Sequence, residues 1–381
     1  MVGYESSRLR VCFVSLSAYG YFDEEAPAGG GAQRQLHLLS TSLTGEFDVH
    51  FVVGEYGQPR TVRREGVTLH SAYTPDRTAS IARRGRQLAL LFRALQRADA
   101  DVYVARCHPR KLTVLYALTS LLRRPLIYHV ATDAFVDDPP TGVQGFSKRV
   151  YERAIRRCQV VAQTPHQARV LYETRGVPAR VVPNGYPPAD AIDIYDVREH
   201  FLWVGRLDET EKRPHLFLDL AERLPNEQFV LIGPPEEDDA YGKQVVRRAT
   251  DAENVEYIGR VSPSEVHDFY RRAIALVNTS VSGREGFPNT FLEAWRYATP
   301  VVSLDVDPGR FLHPETEGGV ETAYAGGDFE SLASLVQRAA DDLAYRRELG
   351  STGMRAFQRH YQLPIVVGSY RELLTEVVSG G

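Results

Sequence analysis

Apolar positions in this chain come in two kinds of pattern that alternate along its length. Short, largely apolar runs occupy residues 11–16, 49–53, 102–106, 126–130 and 160–163. Continuous runs of that length suit strands buried on both faces. Between them lie stretches with helical spacing. Residues 32–41 place Leu36 and Leu39 on one face, and residues 77–97 place Leu88, Leu91, Phe92 and Leu95 together. Strand and helix in turn predict a parallel sheet covered by helices.

The pattern restarts after Pro183-Asn184-Gly185. Strands are predicted at 201–204, 229–232, 255–258, 275–278 and 301–304, with a helix at 214–223. A last helix, 363–378, carries Val367, Tyr370, Leu373, Leu374 and Val377 on one face. The expected fold is α/β, with two doubly wound Rossmann-like domains facing a central cleft. Residues 1–182 form the first domain and 183–362 the second, with the helix at 363–381 packing back on the first. In open parallel sheets, ligands bind beyond the carboxyl ends of the strands.

Composition adds little to this picture, but charge adds something. The 381 residues are 43% hydrophobic and 25% charged, as in ordinary globular chains, and too many for one ordinary core. No apolar run reaches the roughly 20 residues of a membrane span. The three cysteines, Cys12, Cys107 and Cys158, are scattered and suggest neither a disulfide framework nor a metal site. A cytoplasmic address is expected. The net charge of -4 conceals an asymmetry. Residues 1–182 hold 25 Lys and Arg against 16 Asp and Glu, and the remainder 20 against 33. A basic first half suggests an anionic partner, such as a membrane surface or an acidic acceptor. The stretch Arg83-Arg84-Gly85-Arg86, which opens an amphipathic helix, is one candidate for peripheral membrane contact. No nucleic-acid partner is expected.

The segment richest in chemistry is SGREGFPNTFLEAWRYATP, residues 282–300. Pro288 suits the first position of a helix, where its missing N–H costs nothing. Glu285 then precedes that helix and Glu293 lies about 7.5 Å along its axis. A helix start between two carboxylates offers N–H groups to a diphosphate and acceptors to sugar hydroxyls. Two glutamates alone would be ordinary surface charges; the Gly-Phe-Pro-Asn between them sets them apart.

Glu285-Gly-Phe-Pro-Asn-Thr-Phe-Leu-Glu293-Ala, followed by Ala298-Thr-Pro-Val-Val, resembles the signature of the large family of retaining GT-B glycosyltransferases. Further segments agree in order. They are Gly29-Gly30-Gly31-Ala32-Gln33-Arg34, Gln163-Thr164-Pro165, and Val182-Pro183-Asn184-Gly185-Tyr186. Val204-Gly205-Arg206-Leu207 with Lys212-Arg213-Pro214, Leu231-Ile232-Gly233, and Ile258-Gly259-Arg260-Val261 complete the set. The likeness is thin between Tyr56 and Arg123.

The resemblance implies a nucleotide-diphosphate sugar as donor and a carbohydrate or lipid-linked hydroxyl acceptor. It implies retention of the anomeric configuration, with no cofactor required; Arg206 and Lys212 supply the positive charge a metal would bring, so none is expected. Arg206 and Lys212 would hold the diphosphate, with Arg213 as the fallback for Lys212. Glu285 would contact the donor sugar and Glu293 the ribose. Backbone around Gly286, Phe287, Pro288 and Asn289 would meet sugar or phosphate. Gly205, Gly259 and Val261 would border the nucleotide. Gly30 and Gly31 would let the opposite wall approach, since glycine has no side chain. His129 would supply a polar group from the first domain, with His108 and Asp133 competing for that place. Asp305-Val306-Asp307 is a weaker pattern that would suit a metal. An epimerase on the same scaffold and a non-catalytic sugar-nucleotide-binding protein are the competing readings.

Overall fold

The computed structural model describes residues 8–76, 80–136, 145–189, 198–235, 239–262, 265–312 and 321–379. The chain divides into two compact units, Met1–Gly185 with Leu363–Gly381, and Tyr186–Gln362. This division falls three residues beyond the boundary expected at 182/183. The Pro-Asn-Gly turn is held by the first unit. The Asn184 side chain accepts from buried Arg106 at 2.8 Å and donates to Gln163 at 3.2 Å. The Gly185 amide donates to the Gln35 side chain at 2.9 Å.

The first unit holds an eight-stranded sheet. Its strands are β1 (Arg10–Val14), β2 (Asp48–Val53), β3 (Thr61–Arg64), β4 (Val67–Ser71), β5 (Val102–Arg106), β6 (Leu126–His129), β7 (Gln159–Ala162) and β8 (Ala179–Val181). They run in the order β3-β4-β2-β1-β5-β6-β7-β8. All pairs are parallel except β3 with β4. No apolar pattern signals that exception, because β3 is mostly exposed and carries Arg63 and Arg64. Its turn has a clearer local cause. Glu65 and Gly66 both take positive φ (48° and 80°), the two-residue hairpin geometry that matches strand twist.

Helices α2 (Ile81–Ala98), α3 (Pro109–Leu121), α4 (Gly145–Ile155) and α5 (Pro165–Arg175) share one apolar cluster with Cys12, Tyr103 and Tyr128 of the strands. The expected helix 77–97 begins at Ile81, where the Ser80 side chain caps the Arg83 amide; residues 77–79 lie outside the described ones. Helix α1 (Gly31–Ser42) packs against α12 (Leu363–Ser379), and both touch β5. The terminal helix therefore belongs to the first unit's core.

The second unit has six parallel strands, β9 (His200–Val204), β10 (Phe229–Ile232), β11 (Val255–Gly259), β12 (Ala273–Asn278), β13 (Val301–Ser303) and β14 (Ala323–Tyr324). Their order is β11-β10-β9-β12-β13-β14. Around them lie α6 (Pro214–Arg223), α7 (Ala240–Asp251), α8 (Val266–Arg272), α9 (Asn289–Trp295), α10 (Phe329–Asp341) and α11 (Leu343–Ala356). Phe201, Phe217, Phe229, Leu231 and Leu332 are at the centre of its core. In each sheet the winding reverses once, between β1 and β5 in the first unit and between β9 and β12 in the second. Ligands of open α/β sheets bind at the strand ends beside such reversals.

Candidate active site

In the second unit, the segments that follow β9 and β12 meet at the reversal. Gly205 follows β9, and its carbonyl lies where a Cβ on Gly233 would stand, 1.7 Å away. Gly233 also takes φ +156°, so no other residue lets these two turns pass. Arg206 comes next, half exposed, with Nη2 3.2 Å from Glu211. Asp208 then builds the loop. Its carboxylate accepts from the Thr210 amide at 2.9 Å and the Glu211 amide at 2.6 Å, and its carbonyl accepts from the Arg213 amide at 2.8 Å. Burial opposes the Asp208 charge, but the Glu211 amide and the Thr210 donors outweigh it and lower its pKa.

A second set of bonds ties this loop to the end of β12. Buried Thr279 donates to the Lys212 carbonyl at 2.6 Å and accepts from the Trp203 indole at 2.9 Å. The Val281 amide donates to the Glu211 carbonyl at 2.9 Å, and Arg213 Nε to the Thr279 carbonyl at 2.8 Å. The outcome is that the Lys212 ammonium meets the Glu285 carboxylate directly. Both side chains are largely enclosed, at 23% and 19% exposure, against 52% for Arg206.

Beyond Glu285 the chain dives inward. Phe287 stacks on Phe311 with centroids 4.3 Å apart and meets Tyr361 edge-on at 4.9 Å. Its side chain is therefore an anchor in the core, which fixes the backbone of Gly286 and Pro288 on either side of it. Pro288, expected as the first helical residue, is instead the cap; α9 starts at Asn289. With ψ at 119° Pro288 is still extended, and only its carbonyl joins the helix, accepting from Phe291 at 3.1 Å. Glu293, half buried on α9, accepts a hydrogen bond from the Tyr270 hydroxyl at 3.0 Å. Burial, then the neighbouring Glu293 charge, raises that phenol well above its usual pKa.

Gly259 ends β11 with φ +73°, and its carbonyl receives the Gly233 amide at 2.8 Å. Val261 lies half buried two residues on. Arg213 is bound to Asp305 as well as to Thr279, so it braces the loop. Asp307 caps the turn Pro308–Phe311 through the Gly309 amide at 2.8 Å. The two aspartates thus have separate structural partners.

The first unit holds the remaining predicted residues. Gly30 caps α1 and Gly31 begins it, both exposed. The crowded glycine is Gly29, where a Cβ would lie 2.8 Å from the Ser17 carbonyl and from Gln33. The Tyr21 hydroxyl donates to the Gly29 carbonyl at 2.7 Å. His129 ends β6 and is 1% exposed, with Nδ1 3.4 Å from the Tyr370 hydroxyl of α12. Burial, then the charge of Arg106, pushes its pKa well below the ordinary value. It is a neutral imidazole enclosed within the unit. Its competitor Asp133 is also buried and accepts from Gln167 at 2.9 Å. His108, half exposed, caps α3 through the Arg110 amide at 3.2 Å.

The order of these parts can be compared with known families. Residues 29–190 match the family described as Glycosyltransferase Family 4, and residues 198–342 match Glycosyl transferases group 1. The chain belongs to the GT-B glycosyltransferases. Among solved structures, this glycosyltransferase is similar to a sucrose-phosphate synthase from Thermosynechococcus elongatus. The TM-score is 0.76 at 16% identity, over 98% of this chain and 100% of that one. It is also similar to the Anabaena protein HepE solved with UDP and glucose. There the TM-score is 0.73 at 17% identity, over 96% and 99% of the two chains. Both are likenesses of fold. Among curated proteins, the Escherichia coli O-antigen biosynthesis glycosyltransferase WbnH is 26% identical over 168 residues, 43% of this chain. That match spans 41% of the relative's own length.

In this GT-B chain the electrostatics of the Lys212–Glu285 corner are tuned by its surroundings. Burial, and then the charge of Arg206, pulls the Lys212 ammonium down to about 8, against the raising effect of Glu211 and Asp208. A cation that is costly to bury favours an anionic ligand that would neutralise it. Three residues that build the corner escaped sequence reasoning: Trp203, Asp208 and Thr279. Asp208 had a signal, since Asp two and three residues before Thr210 and Glu211 is a common turn-former. Thr279 had none, because its partners come from distant segments. A further surprise is Arg198, whose guanidinium donates to the carbonyls of Ala273, Tyr297 and Ala298 and to the Thr299 hydroxyl. It clamps the turn after α9, where Ala298 takes φ +50°.

Proposed function

We propose that this protein transfers a glycosyl group from a nucleotide-diphosphate sugar to a hydroxyl acceptor with retention at the anomeric carbon. The observation that carries the reading is the meeting of Lys212 and Glu285 at the sheet reversal, with Arg206 beside them. An ammonium and a guanidinium there would hold the diphosphate and stabilise charge growing on the leaving nucleotide. Glu285, released from Lys212 by the phosphate, would accept from donor-sugar hydroxyls and steady positive charge developing at the anomeric carbon. Glu293 would take the ribose hydroxyls beside Tyr270. The acceptor hydroxyl attacks from the face the diphosphate leaves, and the departing phosphate oxygen takes its proton. No side-chain nucleophile is assigned.

The cations Lys212 and Arg206 supply the charge that a divalent ion would otherwise bring, and the reading therefore requires no metal. The acceptor class is a glycan, glycolipid or surface polysaccharide; the O-antigen role in the name of the partial relative supports that choice. A screen of nucleotide sugars by thermal shift identifies the donor, since a ligand of the native state raises its melting temperature. NMR of the product then tests the stereochemistry. The reading predicts a retained anomeric centre, and an inverted one overturns the mechanism.

A further inference from the structure

The positive charge of the first unit is concentrated. Residues 81–177 carry 17 Lys and Arg against seven Asp and Glu, more than the whole excess of residues 1–182. Within this stretch α3 and α4 lie side by side. Both press apolar residues into one cluster, Leu112, Leu115 and Leu118 from α3 and Tyr151, Ala154 and Ile155 from α4. Their opposite stripes therefore form a common outer surface.

On α4 that stripe is arginine. Arg149 and Arg153 are exposed, and Arg156 and Arg157 prolong the row past the helix end. The one acid on α4, Glu152, is drawn aside by buried Arg175 at 3.3 Å, and Arg156 approaches it at 3.5 Å. On α3 the outer stripe is apolar at two points, Val114 at 39% exposure and Leu121 at 72%. Exposed apolar side chains bordered by fixed cations suit one kind of partner better than others. Cations alone fit any polyanion, but Leu121 and Val114 gain nothing from a soluble one. A bilayer with anionic headgroups offers charge to the arginines and acyl chains to the apolar pair.

We propose that the outer surface of α3 and α4 docks on an anionic lipid bilayer. This moves the membrane contact away from the Arg83–Arg86 stretch suggested by sequence. There Arg83 is paired with Asp76 at 2.8 Å, and α2 commits Leu91, Ala94, Leu95 and Ala98 to the core. The proposal does not depend on the transfer reading, and either can fail alone.

The test is sedimentation of the full chain with vesicles of phosphatidylcholine alone, or mixed with phosphatidylglycerol. The wild type is expected to bind the mixed vesicles and not the neutral ones. Removing two cations in Arg149→Ala/Arg153→Ala should weaken binding about 25-fold, at about fivefold per cation. Leu121→Ser, at a position too exposed to matter for folding, should weaken it severalfold. Lys243→Ala/Arg247→Ala, an exposed pair on α7 of the other unit, should leave it unchanged. Equal binding to both vesicle types overturns the proposal, as does indifference to both the α4 and Leu121 substitutions. Binding to soluble dextran sulfate but to no vesicle also overturns it, and would indicate a polyanionic chain as partner.

Discussion

The two units are built alike, yet they treat the polar residues beyond their strand ends in opposite ways. In the first unit those residues close on one another. Arg106 bonds Asn184, Asn184 bonds Gln163, and Gln163 donates to the Val130 and Ala131 carbonyls at 2.8 Å. All of these side chains are buried. In the second unit the corresponding corner is made of ionised groups that stay partly open, Arg206, Lys212 and Glu285. A closed network fixes a chain path; an open charge pair can exchange its partner for a ligand. The difference lies in what surrounds the strand ends, since the strands themselves have the same character.

The contrast can be broken most sharply at Glu285. Glu285→Ala should reduce transfer by about 10²–10³-fold, the scale of losing one preorganised electrostatic contact. Near-normal turnover in that variant would remove the carboxylate from the site. Lys212→Ala should lower kcat/KM by about 10²-fold, and Arg206→Ala, at a more solvated cation, by about tenfold. An Arg206 effect larger than that of Lys212 would reverse the assignment of the main phosphate contact.

The pH profile sharpens the same point. Burial and the charge of Arg206 lower the Lys212 pKa, while the Glu285 carboxylate in contact with it works the other way. kcat/KM, which reports the free enzyme, should fall on the alkaline side as this ammonium loses its proton. A profile that rises with pH there would contradict it. Stability runs the other way. The folded ammonium is disfavoured relative to the unfolded one, a cost relieved as pH rises from about 8 towards 10.5.

Thr279→Val should cost about 1–3 kcal/mol, by stranding the Lys212 carbonyl and the Trp203 indole, and should raise KM for the donor. Chemical denaturation and initial rates measure both. The smallest expected effect on rate is in the first unit. His129→Gln should leave kcat/KM within about twofold while lowering the melting temperature, because the imidazole is enclosed against Tyr370. His129, like His70 and His200 at about 4, is neutral in the folded state and protonates more readily when unfolded. Stability is therefore lost as pH falls below about 6.5. A large loss of kcat/KM with unchanged stability would return His129 to the reacting centre.

How much of this could be read in the sequence follows from how local each feature is. The strands 102–106 and 229–232 and the helix 214–223 were legible to the residue, because their apolar patterns are uninterrupted. The hairpin at Thr61–Ser71 was not, since an edge strand with Arg63 and Arg64 carries no apolar run. Helices α3, α4 and α5 are hard to read in the sequence, because arginines and threonines interrupt their apolar positions. The motif glutamates were legible as a pair. Their neighbours were not, for Lys212 reaches Glu285 only because Trp203, Thr279 and Asp208 fold one loop onto another. His129 shows the reverse case. A histidine at a strand end looks open in the sequence, whereas its burial against Tyr370 of α12, more than two hundred residues later, is not legible there.

The Lys212–Glu285 pairing itself can be interrogated with one conservative variant. Glu285→Gln removes the charge and keeps the shape, and nucleoside diphosphate binding and transfer are then measured on the same preparation. If the diphosphate displaces the carboxylate from Lys212, the variant should bind nucleoside diphosphate at least as tightly as the wild type while losing transfer about 10²-fold or more. Weaker binding together with intact transfer would mean that donor and glutamate do not share this lysine.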